Sequence, residues 1–210
     1  MSSILYYDEY IVVALKPAGL LSEGEGKDSF PDILACDLCE ISGEKVKLYT
    51  VHRLDRETEG IMVYARTSET AARLSGDIAE GKWQKIYHAR LCSAPKESSG
   101  RLCDLLYYDR TKSKSFVVKA KRKGVKEAAL SYEVLPSDGR GTLVKIALET
   151  GRTHQIRVQF ASRGMPLCGD RRYGAPAESG KTLALCACSL KFPHPKTKED
   201  LSFEILPSNL

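Results

Sequence analysis

Apolar and polar positions along this chain fall into short runs, and most of the runs read as strands. Residues 4–7 and 10–15 are β-rich and separated only by Asp8 and Glu9, which predicts a hairpin. Lys16-Pro17-Ala18-Gly19 breaks the second strand, and the polar, Gly-rich residues 22–28 form a loop. Residues 29–38 predict a short helix, with Pro31 in its first turn and Ile33, Leu34 and Leu38 on one face. Residues 61–65 read as a buried strand. Thr67 or Ser68 then caps a helix with Ala71, Leu74 and Ile78 on one side. Residues 84–92 return to strand, with Lys85, Tyr87, Ala89 and Leu91 on one face and Ile86, His88 and Arg90 on the other. After a loop over 94–100, residues 110–126 read as a basic β-hairpin interrupted by Phe116-Val117-Val118. Strands over 128–135 and 142–149 flank a turn at residues 137–141. Thr150-Gly151 turns the chain into a helix over 153–163, closed by Gly164, and strands over 183–192 and 201–206 follow. Many strands with few short helices predict a single α+β domain over residues 1–210, built on a mixed, mostly antiparallel sheet.

Composition agrees with a packed, soluble protein. The chain has 210 residues, 42% hydrophobic and 28% charged, enough for a real core and unlike a disordered chain. No run approaches the roughly 18 apolar residues of a membrane span, and the first ten residues do not read as a signal peptide. The net charge of +5 leans mildly toward acidic partners. It is not evenly spread, since residues 110–126 hold eight basic residues and no acidic one. Seven cysteines, an odd number, suit reduced thiols in a cytoplasm. Cys36 and Cys39 make a CxxC, and Cys186 and Cys188 a CxC. The latter pair lies in an apolar run where thiols pack as small hydrophobes, and no second pair has zinc-ligand spacing.

Three segments are too polar for packing alone. In His52-Arg53-Leu54-Asp55-Arg56, the carboxylate of Asp55 lies between two arginines that can keep it ionised, as a nucleophile or a base; a surface salt-bridge loop is the plain alternative. In residues 151–157, Arg152 and Arg157 flank a helix start, which suits phosphate or carboxylate binding. In Lys85-Ile86-Tyr87, the tyrosine can stack on a planar ligand, donate its hydroxyl, or simply fill the core. His52 and His154 lack metal-ligand spacing and read as structural or RNA-contacting.

Taken in order, HRLDRETEG, KIYHARL and TGRTHQIRVQFASRGMPLCGDRRYG resemble the RluA-type RNA pseudouridine synthases, as do KPAGLL before them and LALCACSLKFPHP after them. The resemblance implies a pseudouridine synthase-type sheet split by a catalytic cleft and flanked by helices and loops. The reaction it implies isomerises uridine in ribosomal or transfer RNA, with no metal or other cofactor. It makes Asp55 the catalytic aspartate. Tyr87 becomes the tyrosine packed on the target base and a candidate proton acceptor, and Arg157 the arginine paired with the catalytic carboxylate. Arg53 would fill the space left by the extruded base. Arg56, Lys85, Arg152 and His154, together with Lys119, Lys121, Arg122 and Lys123, are expected to contact RNA. Glu59 and Cys186 depart from the family, which usually has a small residue and a histidine there. No S4-type domain is expected before KPAGL, and the chain is expected to act as a cytoplasmic monomer without a membrane partner.

Overall fold

The computed structural model describes residues 4–43, 45–136, 139–207 and 210. The chain forms two compact units, the first from Met1–Gln84 and Ala187–Leu206, the second from Lys85–Cys186 and Pro207–Leu210.

The first unit opens with the expected hairpin, β1 (Ile4–Tyr7) and β2 (Ile11–Lys16). Helix α1 (Phe30–Ser42) starts where the sequence places it: Ser29 accepts a hydrogen bond from the Asp32 amide at the N-cap. It runs four residues past the expected end, to Gly43, whose left-handed φ of 73° closes it. A short β3 (Tyr49–Thr50) precedes β4 (Glu59–Ala65), and Thr67 caps α2 (Ser68–Ala79). The C-terminal part adds most of β10 (Leu185–Pro193) and β11 (Asp200–Glu204). The strands lie in the order β1-β2-β4-β10-β11, with β3 also on β4. β2 and β4 are buried along almost their whole length because both sheet faces are covered. Ile11, Val13, Ile61 and Val63 pack with Leu74, Trp83, Leu190 and Phe192. The alternate residue Tyr64 meets Phe30 of α1, ring centroids 6.0 Å apart. His194 fastens the unit's two chain segments: its Nε2–H donates to Asp8 at 2.8 Å, while Nδ1 accepts from the Thr197 amide.

The second unit is an antiparallel sheet in the order β5-β9-β8-β6-β7. Its strands are β5 (Gln84–Leu91), β6 (Ser99–Asp109), β7 (Lys114–Val118), β8 (Val125–Val134) and β9 (Thr142–Leu148). The eleven-residue β6 was not foreseen, because Arg101, Asp104 and Asp109 interrupt its apolar alternation. Ser137 and Asp138, in the turn read between β8 and β9, lie outside the described residues. Helix α3 (Gln155–Ala161) is shorter than the 153–163 expectation: His154 holds a left-handed φ of 54°, so helical geometry begins only after it. Its Val158 packs with Leu106, Ala128 and Tyr173. No described helix is long and apolar enough to cross a membrane.

Candidate active site

Asp55 lies in the loop between β3 and β4, and the backbone on both sides of it is pinned from below. Leu54 is buried; its carbonyl accepts from Ser22 Oγ at 2.8 Å and its amide donates back to the same oxygen at 3.3 Å. The Ser22 carbonyl in turn accepts from the Tyr64 hydroxyl at 3.0 Å. Upstream, His52 Nε2 accepts the Val63 amide at 2.9 Å, and its ring meets Trp83 edge-on. Downstream, the Arg56 carbonyl accepts from the Gly19 amide at 2.8 Å and from Lys16 Nζ at 3.3 Å. The Thr58 amide closes a turn onto the Asp55 carbonyl at 3.0 Å. The outcome is a half-buried carboxylate on a rigid loop.

Lys16 is a buried neighbour of the Asp55 loop that sequence reading did not single out. It is fully buried, and besides Arg56 its ammonium donates to the carbonyls of Pro17 and Leu20, both at 2.9 Å. Burial pushes its pKa down to about 8, against the pull of the negative charges on Asp55, Glu57 and Glu59. From sequence, Lys16 read as the start of the strand break before Pro17 and as the first residue of the KPAGLL run. The arginines that flank Asp55 in sequence, by contrast, meet other carboxylates. Arg53 pairs with Glu23 at 3.0 Å and Arg56 with Asp28 at 3.1 Å, all four side chains about half exposed. Such exposed pairs are weak and open to exchange for a phosphate. Gly60, at the start of β4, has φ 140°, and a Cβ there would stand 2.5 Å from the Ala187 Cβ and carbonyl oxygen, so β10 can lie against it only while it is glycine.

In the second unit, Tyr87 is buried on β5 opposite Ile146, and burial lowers the pKa of the nearby Lys85. Arg157, on α3, is also buried. Its Nε and Nη2 donate to Asp170 at 2.7 and 2.9 Å in a two-pronged pair whose side chains are 4% and 0% exposed. Asp170 is thus the carboxylate that holds Arg157 within this unit. Sequence reading did not single it out, although the GD step of the motif carries it. The Arg157 guanidinium also sits 5.3 Å from the Tyr173 ring centre, and Lys114 sits 4.8 Å from it. The Tyr173 hydroxyl bonds His154 Nδ1 at 2.9 Å and receives the Ser115 amide at 2.8 Å. His154 is therefore part of a packed network.

At residues 151–157 the carboxylate bound by Arg157 is Asp170 of the chain itself, and part of the helix start is occupied. The Arg152 amide already donates to Gln155 Oε1 at 3.0 Å, and the Arg152 side chain donates to the Glu127 carbonyl at 2.9 Å. The basic stretch is a β7 edge strand followed by an exposed loop carrying Lys119, Lys121, Arg122 and Lys123. Lys121 pairs with Glu127 at 2.6 Å, and Arg122 lies over the Tyr107 ring. Among the described residues no cluster of three or more metal-ligating side chains occurs. Cys186 and Cys188 are buried, as their apolar run predicts, and Cys36 and Cys39 are exposed on α1.

Residues 10–162 match the family model described as RNA pseudouridylate synthase. The chain belongs to that family. Its members are isomerases acting on uridine in RNA. An uncharacterized RNA pseudouridine synthase of Aquifex aeolicus is 36% identical over 97% of this chain and 68% of its own length. The dual-specificity RNA pseudouridine synthase RluA of Vibrio cholerae is 31% identical over 92% of this chain and 78% of its own length. The chain spans 62–68% of the length of the first relatives it matches. Among solved structures, human RNA pseudouridylate synthase domain containing 4 superposes with a TM-score of 0.80 at 26% identity, covering 98% of this chain and 89% of that one.

Proposed function

We propose that this chain converts uridine in ribosomal or transfer RNA to pseudouridine, with Asp55 as the catalytic carboxylate. The observation that carries the assignment is the clamp around it: Ser22 on one side and Lys16 on the other fix the backbone flanking Asp55. A carboxylate held on so rigid a loop meets a ribose or a base without a reorganisation cost. In the reaction the N1–C1′ bond of the uridine breaks, the base turns while held, C5 bonds to C1′, the C5 proton leaves, and N1 takes up a proton. Tyr87 packs against the extruded base, and unstacking that base costs a few kcal/mol. Arg53 exchanges Glu23 for the gap left in the RNA. Arg157, fixed by Asp170, is the arginine assigned to serve the catalytic carboxylate. The exposed basic loop holds RNA that flanks the target, in the cytoplasm, and the enzyme acts as a monomer.

The test is Asp55→Asn assayed on total cellular RNA from a strain lacking the gene. The expected result is no pseudouridine formed, with RNA affinity within roughly tenfold of the parent, because phosphate contacts supply most of the affinity. Appreciable pseudouridine made by the variant overturns the assignment of Asp55.

A further inference from the structure

Two cysteines of the second unit face each other. At the end of β5, Leu91 forms an antiparallel bridge with Leu167. The bridge is flanked by hydrogen bonds from the Cys92 amide to the Pro166 carbonyl at 2.9 Å and from the Cys168 amide to the Arg90 carbonyl at 2.8 Å. Side chains alternate along extended backbone, so Cys92 and Cys168, each one residue beyond the bridge, leave by the face opposite Leu91 and Leu167. Their Sγ atoms lie 3.5 Å apart. A disulfide needs about 2.05 Å, so the sulfurs must close by roughly 1.5 Å, within reach of side-chain rotation.

We propose that Cys92 and Cys168 form a reversible dithiol–disulfide site that takes a low-molecular-weight disulfide such as oxidised glutathione as its oxidant. The Cys92 thiolate attacks one sulfur of the small disulfide. That S–S bond breaks, one small thiolate leaves, and a mixed disulfide remains on Cys92. The Cys168 sulfur, its proton lost to solvent, then attacks the Cys92 sulfur and expels the second small thiolate. The protein pair gives up two electrons and two protons, and the oxidant becomes two thiols. Access sets the order of the steps, since Cys92 is half-buried and Cys168 buried. Burial, with the hydrogen bond to Cys92, pushes the Cys168 thiol up to about 11, which makes it a poor first nucleophile and a strong one once ionised beside the mixed disulfide. The cross-link would tie the end of β5 to the turn that presents Asp170 to Arg157.

The site is tested by mass and melting, independently of catalysis. Cys36, Cys39 and Cys103 are exposed and compete for oxidant, so the starting protein carries Cys36→Ser, Cys39→Ser and Cys103→Ser. Treatment with oxidised glutathione should lower the intact mass by two hydrogens and give one cross-linked peptide joining Cys92 to Cys168. The melting temperature should rise, and dithiothreitol should reverse both changes. Adding Cys92→Ser should abolish the cross-link, and the parent with all its cysteines should yield the same linked peptide. A lasting glutathione adduct on Cys92, a link from either cysteine to another partner, or two unreacted thiols overturns the proposal.

Discussion

Replacing Asp170 by Asn removes the negative charge that faces Arg157 while keeping the side-chain volume. Both side chains are withdrawn from water, at 4% and 0% exposure, so solvent cannot stand in for the lost carboxylate. Removing one partner of a buried ion pair costs about 3–5 kcal/mol. The Asn carbonyl still accepts one of the two guanidinium bonds, which puts the expected loss near the low end, about 3 kcal/mol. For a chain of 210 residues each kcal/mol moves the melting temperature by about 2–4 °C, so Asp170→Asn should melt about 6–12 °C below the parent. Hydrogen exchange should place the loss in α3. A double variant, Arg157→Met with Asp170→Leu, should regain most of the stability, because an apolar pair of similar volume carries no desolvation cost, yet it should make no pseudouridine. A melting temperature for Asp170→Asn within about 1 °C of the parent would refute the view that this pair is buried and mutually dependent.

Lys16 should give stability a pH signature. Its folded pKa of about 8 lies below the ordinary 10.5, so between those values the unfolded chain binds more protons and stability rises with pH. The parent should therefore gain up to about 3 kcal/mol relative to Lys16→Met across that window in urea titrations; parallel curves would remove Lys16 as the source. Gly60→Ala should fail to fold or lose several kcal/mol, because its Cβ would meet Ala187 at 2.5 Å, whereas Gly81→Ala, with φ 73° and nothing within 4 Å, should lose only about 1–2 kcal/mol. Equal melting temperatures for the two variants would contradict the close approach of β10 to β4. In RNA binding, Lys119→Ala with Lys123→Ala should lower the log–log salt slope by about 0.7–0.9 per lost contact, with the single-turnover rate at saturating RNA unchanged. Lys121→Ala should change the slope less, since Glu127 already offsets its charge. An unaltered slope in the double variant would leave the basic loop as solvated edge protection.

Most elements were legible because local chemistry and tertiary demand agree. Ser29 and Pro31 announce α1, Thr67 announces α2, and the alternation in β9 matches its pairing on both sides. Apart from β6, the main misses are places where a buried charge or an unusual backbone overrides the local signal. Lys16 and Asp170 are 0% and 2% exposed, yet single-sequence reasoning assigns such residues to the surface. Their burial depends on partners that only the fold brings into place: the carbonyls of Pro17, Leu20 and Arg56 around Lys16, and the guanidinium of Arg157 beside Asp170. α3 was drawn too long because nothing in the local sequence marks His154 as left-handed; its tie to Tyr173, nineteen residues on, is seen only in three dimensions. The importance of Asp55 came from the motif around it, since a carboxylate between two arginines is by itself equally a surface loop.

The first unit is assembled from two separate segments, with most of the second inserted between Gln84 and Ala187. On the ribosome this imposes a waiting time. When the first 84 residues have emerged, β4 still lacks its β10 neighbour, and Asp8 still lacks His194. At about 5–20 residues per second, the roughly hundred intervening residues take some 5–20 seconds to appear. During that interval the nascent β4 presents an apolar strand with one unsatisfied edge, the kind of surface that chaperones hold and that mispairs between neighbouring nascent chains. Strands β6 to β9 of the second unit, by contrast, pair with one another within residues 99–148, so those partners are all present before β10 emerges. Order of synthesis therefore favours closing the middle of this protein before its beginning.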